Sequence, residues 1–173
     1  MTRVAVIGNA GGGKSTLCRE ISAALRLPYH PIDKMQWLPG WVLVSEDVFH
    51  DRHEVLIAQD RWVIDGFGPW PDIERRFDRA DTIIFVDHPF WRHLFWATKR
   101  QIRSIFFGRS DGPDGCPMLP VTLKLYRMMW RLHREMRPKL LTAIQARSAD
   151  RRIVHIRSLQ ELARFRQTCL QAS

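Results

Sequence analysis

The stretch Gly8-Asn9-Ala10-Gly11-Gly12-Gly13-Lys14-Ser15 limits what this chain can fold into more than any other feature. Its glycines accept positive φ values and let the chain curl tightly with its N–H groups turned inward. The segment before it, Val4-Ala5-Val6-Ile7, is a continuous apolar run, as in a strand buried on both faces. The segment after it, Lys14 to Leu27, has the composition of a helix. Strand, glycine-rich turn and helix in this order make the Walker A arrangement, in which backbone N–H groups and a helix N-terminus surround phosphate. The expected nucleotide-binding residues are Gly8, Asn9, Ala10, Gly11, Gly12, Gly13, Lys14, Ser15 and Thr16. Lys14 would reach β/γ-phosphate oxygens, and the Ser15 hydroxyl would ligate Mg²⁺. The expected ligand is a nucleoside triphosphate, ATP with Mg²⁺.

Apolar runs alternate with helical stretches along the rest of the chain. Tyr29–Ile32 reads as a second strand ending at Asp33, Trp62–Ile64 as a third ending at Asp65, Thr82–Val86 as a fourth ending at Asp87, and Ile153–Ile156 as a fifth. Ser45 caps a helix that carries Glu46 and Asp47 in its first turn and runs to about Gln59. Long helices are expected over His88–Phe106 and Val121–Arg147, with Pro138 kinking or ending the second, and Ser158 caps a last helix. This alternation predicts an α/β protein with a five-stranded parallel sheet and helices on both faces. The 173 residues read as a single domain. In such sheets ligands lie beyond the carboxyl ends of the strands, so Asp33, Asp65 and Asp87 are expected at the phosphate-binding edge.

No run of eighteen apolar residues is present, which excludes a membrane-spanning helix, and the first strand leaves no room for a signal peptide. Cys18, Cys116 and Cys169 lack metal-ligand spacing and read as free thiols of a cytoplasmic protein. The net charge is +9, and 22 of the 27 cationic residues are arginine. Arginine matches phosphate oxygens bidentately, so this bias fits either a phosphorylated small ligand or nucleic acid. A genome rich in G and C would give the same bias.

Asp65 is the candidate metal-binding acid, with Ser15 as the second ligand, because Mg²⁺ must be fixed against the phosphate oxygens. Asp87 could serve the same purpose or cap the helix that follows His88-Pro89. Asp33 could accept a proton from, or orient, an attacking hydroxyl. Trp37 and Trp41 flank the Pro39-Gly40 turn, either as an aromatic wall for a ligand or as packing. Lys124, Arg127, Arg131 and Arg134 recur along one helix face beside an apolar stripe of Leu125, Met129, Leu132 and Met136. Arg100, Arg103 and Arg109 flank the loop Gly108–Pro120, which holds three prolines and three glycines. Arginines on a closing element would neutralise the transferring phosphoryl group, and Arg103, Arg109 and Arg131 join Lys14 and Asp33 as the candidate catalytic residues. Residues 33–60 would then form the acceptor-binding region and 99–137 the lid.

Several of these motifs together resemble the adenylate-kinase-like group known as DNA topology modulation proteins. They are the N-terminal loop, Ile32-Asp33, Trp37-Leu38-Pro39-Gly40-Trp41, Arg61-Trp62-Val63-Ile64-Asp65-Gly66, Asp87-His88-Pro89, Gly115-Cys116-Pro117 and the helix ending near Arg137-Pro138. Asp65-Gly66-Phe67 also resembles the Asp-Gly-Phe-Pro-Arg stretch of nucleoside monophosphate kinases, with Gly68-Pro69-Trp70 in place of the Pro-Arg part. Asp33 is similar in position to the acid that contacts the acceptor in shikimate and gluconate kinases. The resemblance implies a P-loop kinase fold with a helical lid, using ATP and Mg²⁺. The expected function is a small-molecule kinase whose partners are a nucleoside triphosphate and a hydroxyl- or phosphate-bearing acceptor. The alternatives are a nucleic-acid-binding P-loop ATPase and a nucleotide-binding protein without catalysis.

Overall fold

The continuous apolar runs become the inner strands of one parallel sheet. A computed structural model describes residues 1–107, 115–117 and 119–171. In chain order its elements begin with β1 (Arg3–Gly8), α1 (Lys14–Leu25), β2 (Tyr29–Pro31), α2 (Ile32–Gln36), β3 (Trp37–Leu38), β4 (Val42–Leu43) and α3 (Glu46–Ile57). There follow β5 (Trp62–Asp65), α4 (Trp70–Arg79), β6 (Thr82–Val86) and α5 (Phe90–Phe107). After a 3₁₀ turn at Leu119–Val121 come α6 (Thr122–Arg131), a π turn (Leu132–Met136), α7 (Arg137–Gln145), β7 (Arg152–Ile156) and α8 (Leu159–Gln171).

The main sheet has the order β2-β5-β1-β6-β7, with all four pairings parallel. Alternation along each strand divides the core into two layers. Ala5, Ile7, Ile64, Ile83 and Phe85 point to one face and pack with Ile57, Ile73, Phe77 and Leu140 of α3, α4 and α7. Val4, Val6, Val63, Ile84 and Val86 point to the other and pack with Leu17, Ile21 and Leu162 of α1 and α8. The expected α/β architecture with a five-stranded parallel sheet between helices is therefore present.

Three local expectations need correction. The second strand stops at Pro31, and Asp33 lies in the first turn of α2, where a carboxylate suits the helix N-terminus. A helix unforeseen in the sequence, α4, starts with Pro71 in its first turn and buries Ile73 and Phe77 one turn apart. Pro138 does not end the helical run, and what interrupts the regular α-helix before it is a π turn. The turn before it widens, the Arg137 N–H bonds to the Leu132 carbonyl five residues back, and the helix resumes with Pro138 in its first turn. Proline lacks an N–H and crowds the carbonyl four residues earlier, and the wider turn relieves both problems.

Candidate functional site

Parallel pairing puts the carboxyl ends of the strands on one rim. Val6 is level with Asp65, Gly8 with Val86, and Pro31 with Asp65. The loop Gly8–Lys14 leaves β1 at this rim and feeds straight into α1, whose first residue is Lys14. Helix α5 presses against the loop. Gly11 has φ 74°, and a Cβ there would lie 2.5 Å from the His93 carbonyl oxygen and 2.8 Å from the Ala97 nitrogen. Only glycine permits that approach.

The charged groups of the loop converge on Asp65. The Ser15 hydroxyl donates to Asp65 Oδ2 at 3.0 Å, and Lys14 Nζ donates to the Asn9 carbonyl at 2.8 Å. Burial raises the pKa of Asp65, opposed by Lys14 and the Ser15 hydrogen bond. Burial lowers that of Lys14, with Asp65 and then Asp33 pulling the other way. Tyr29 lies against the same Ser15–Asp65 pair, and burial raises its phenol well above the usual value. Asp33 is exposed; its Oδ1 lies 3.6 Å from where a Cβ on Gly66 would be, which puts it next to the Asp65 strand end. Lys14, Ser15, Asp33 and Asp65 thus share one corner of the rim. A hydroxyl and a carboxylate are hard oxygen donors of the kind Mg²⁺ takes, with phosphate and water completing its shell.

The other wall is built by α5, α6 and the helix turn beyond them. His93 is 2% exposed, and its Nδ1 lies 3.0 Å from the Ala10 carbonyl. A carbonyl only accepts, so Nδ1 carries a proton. Burial, then the nearby Lys14 charge, hold its pKa down to about 4. The Asn9 side-chain amide donates to the Met129 carbonyl at 2.8 Å and so ties the loop to α6. Asp87 neither caps α5 nor faces Ser15. Arg137 donates to its Oδ1 from Nε at 2.7 Å and to its Oδ2 from Nη2 at 2.9 Å, and His155 Nε2 lies 2.9 Å from Oδ2.

The expected lid arginines divide. Arg100 of α5 lies close enough to Lys14 for its charge to depress the lysine. Arg103 is exposed on α5 and Arg131 is exposed on α6, where Arg131 sits roughly 200° around the helix from the buried Met129. Among the described residues no hydrogen bond or ion pair joins Arg103 or Arg131 to the loop. Arg109 lies outside the described residues. Sequence reasoning missed His93, Arg137 and Tyr29. The i, i+4, i+7 series His93, Ala97, Arg100 on α5 was the one available signal, and it needed the loop's position to be read.

Trp37 and Trp41 meet edge to face at 5.3 Å in the β3–β4 hairpin. The hairpin is strapped to the chain that precedes α6. The Gly40 N–H donates to the Gly115 carbonyl at 2.9 Å, Trp41 Nε1 to the Pro117 carbonyl at 2.7 Å, and Cys116 Sγ to the Leu38 carbonyl at 3.3 Å. Of the two readings for these tryptophans, packing between regions is the one seen for Trp41. Helices α3 and α4 enclose a polar cluster. His50 Nδ1 lies 2.7 Å from Asp72 Oδ1, and His53 and Arg76 are almost fully buried beside it. Next to the loop helix, a cavity of about 360 Å³ is walled by Gly13, Thr16, Trp96, Leu159 and Leu162.

With that geometry in hand, solved structures place the chain. It is similar to the shikimate kinase from Acinetobacter baumannii in complex with shikimate (TM-score 0.64, 16% identity, covering 99% of this chain and 92% of that one). It is also similar to a gluconokinase from Sinorhizobium meliloti 1021 (TM-score 0.56, 15% identity, 99% and 90% covered). A shikimate kinase from Aquifex aeolicus aligns at TM-score 0.52 and 14% identity over 98% of this chain and 94% of that one. The fold is that of a P-loop kinase. No family model matches the sequence, and no curated protein matches it either. Among the described residues, no helix is long and apolar enough to cross a membrane.

Proposed function

We propose that this chain is an ATP- and Mg²⁺-dependent kinase that phosphorylates a small molecule. The observation that carries the proposal is the convergence of Lys14, Ser15, Asp65 and Asp33 beside a glycine-rich loop that opens a helix. The triphosphate would lie on the loop N–H groups and the start of α1. Lys14, released from the Asn9 carbonyl, would neutralise the β/γ-oxygens. The nucleobase fits the cavity between Trp96 and Leu159, where an apolar wall suits a flat ring. Ser15 and Asp65 would hold Mg²⁺, which would supply charge neutralisation at the phosphates. Asp33 accepts the proton of the acceptor hydroxyl as its oxygen bonds to the γ-phosphorus, and the bond to the bridging oxygen breaks to leave ADP. Arg100 is the lid cation we assign to the transferred group. Residues 33–60 would contact the acceptor and 99–137 would cover it.

Lys14→Ala is expected to lower turnover at least about a hundredfold, the scale of losing one charged donor to the transferring group. Circular dichroism should stay unchanged. The substrate panel is nucleosides, nucleotides, sugars and aminocyclitols, read by ADP release. Full activity of Lys14→Ala, or of Asp33→Asn, ends the assignment of that residue. The resemblance to the DNA topology modulation group supplies a second reading, a nucleic-acid-binding ATPase. DNA-stimulated ATP hydrolysis at about 0.15 M salt, without phosphorylation of any acceptor, would favour it.

A further inference from the structure

Helices α5 and α6 turn large apolar side chains outward. Trp91, Phe95 and Ile102 of α5 and Leu123 and Trp130 of α6 are each more than half exposed. At about 100° per residue, the three α5 residues fall within roughly 40° of one another and the two α6 residues within roughly 20°. His93 and Arg100 lie roughly 180–200° around α5 from Trp91, on the side that faces the phosphate loop. The outward stripe is therefore separate from the nucleotide site.

The two stripes form one surface. The helices are antiparallel and joined along a seam in which Thr98 Oγ1 meets Tyr126 Oη at 2.9 Å, Gln101 Nε2 donates to Thr122 Oγ1 at 2.9 Å, and Phe90 meets Trp130 at 5.3 Å. On each helix the apolar stripe follows the seam in the same rotational sense. For antiparallel helices that sense brings both stripes to the same side.

The charges carried by the two helices themselves are all of one sign, and Glu135, in the π turn that follows α6, is exposed as well. Neither α5 nor α6 contains Asp or Glu, and Lys99, Arg103, Lys124, Arg127 and Arg131 are exposed on them. Arg92 stacks over Trp91 at 5.0 Å and Arg134 over Trp130 at 5.6 Å. A second copy of the chain meeting this face symmetrically would set these cations against their own kind. Nucleic acid would use the cations and the rings but gains nothing from Ile102 and Leu123. Aromatic and aliphatic side chains flanked by Lys and Arg, with no acid on either helix, suit the boundary between headgroups and acyl chains of an anionic bilayer. We propose that the outer face of α5–α6 is a docking surface for anionic lipid membranes, on which the protein lies without spanning.

The test is co-sedimentation of the full chain with vesicles of phosphatidylcholine alone or with about 30% phosphatidylglycerol, at about 0.1 M salt, where the Debye length is near 10 Å. Binding is expected to the anionic vesicles alone, and to weaken at least about tenfold when salt rises to about 1 M. The variant Trp91→Ala/Phe95→Ala/Leu123→Ala, all at exposed positions, should lose at least about tenfold in vesicle affinity. ATP binding and far-UV circular dichroism should be unaltered. Equal binding to neutral vesicles, no binding to anionic ones, or undiminished binding of the triple variant each overturns the proposal. So does a dimer that the triple variant dissociates, or DNA binding at about 0.15 M salt by a chain that ignores vesicles.

Discussion

Gly11 and Gly13 offer a matched pair for measuring how tightly α5 is docked on the phosphate loop. Their φ angles are 74° and 79°, so a side chain meets the same left-handed backbone at both. That strain costs about 1–2 kcal/mol for an L-residue. The surroundings differ. A Cβ at Gly13 would meet Leu162 Cδ2 at 3.8 Å, ordinary contact, whereas one at Gly11 would fall 2.5 Å from the His93 oxygen and 2.8 Å from the Ala97 nitrogen. Both latter atoms are helix backbone and cannot rotate aside, so α5 or the loop must shift by roughly 0.9 Å to restore the 3.4 Å limit of normal contact. Overpacking of this kind costs about 1–3 kcal/mol. Gly13→Ala should therefore destabilise by about 1–2 kcal/mol and Gly11→Ala by about 2–5 kcal/mol. Urea unfolding followed by circular dichroism reads both. If the two variants unfold at the same urea concentration, α5 does not rest on the loop as described.

Acid should unfold this protein earlier than its carboxylates alone would require. Burial depresses His93 to about 4 and His53 to about 3, below the 6.5 of the unfolded chain. The stability tied to keeping them neutral is fully present above pH 6.5 and is lost as pH falls toward those folded values, by about 1.4 kcal/mol per pH unit for each ring. His93→Asn should flatten the slope of unfolding free energy between pH 6.5 and about 4.5 by one proton, and an unchanged slope would mean His93 titrates normally. Asp87→Asn should cost about 2 kcal/mol in thermal or urea unfolding, because Arg137 and His155 lose a shared, buried acceptor. A double-mutant cycle with Arg137→Ala that shows no coupling would contradict this. Asp65→Asn should weaken Mg²⁺-ATP binding by at least about tenfold while leaving metal-free nucleotide binding nearly unchanged, measured by calorimetry.

The sequence revealed most where function lies in the backbone. Gly8–Ser15 could be read because the groups proposed to meet phosphate are main-chain N–H donors, fixed once strand and helix flank the turn. The inner strands Val4–Ile7, Trp62–Ile64 and Thr82–Val86 could be read because burial on both faces leaves no polar position. Side-chain placement was harder. The Arg127–Arg131–Arg134 stripe is periodic, but periodicity does not say which side meets the loop, and Met129 holds the inner face. Arg137 reaches Asp87 after a π turn whose extra residue shifts the helix phase by about 100°, a break in period that spacing counts cannot anticipate. Helix α4 follows Gly68 and Pro69, residue types common in turns, and Pro71 lies in its first turn, where proline is tolerated.

The strap of Gly115, Cys116 and Pro117 on the β3–β4 hairpin bears on how two ligands would sense each other. Three bonds button residues 115–117 to the hairpin that follows α2, the helix that carries Asp33. If a nucleotide and an acceptor settle on either side of these bonds, as proposed, each would change the work of opening for the other. Thermodynamic linkage makes that influence equal in both directions. Trp41→Phe removes one of the three bonds and should weaken that mutual influence.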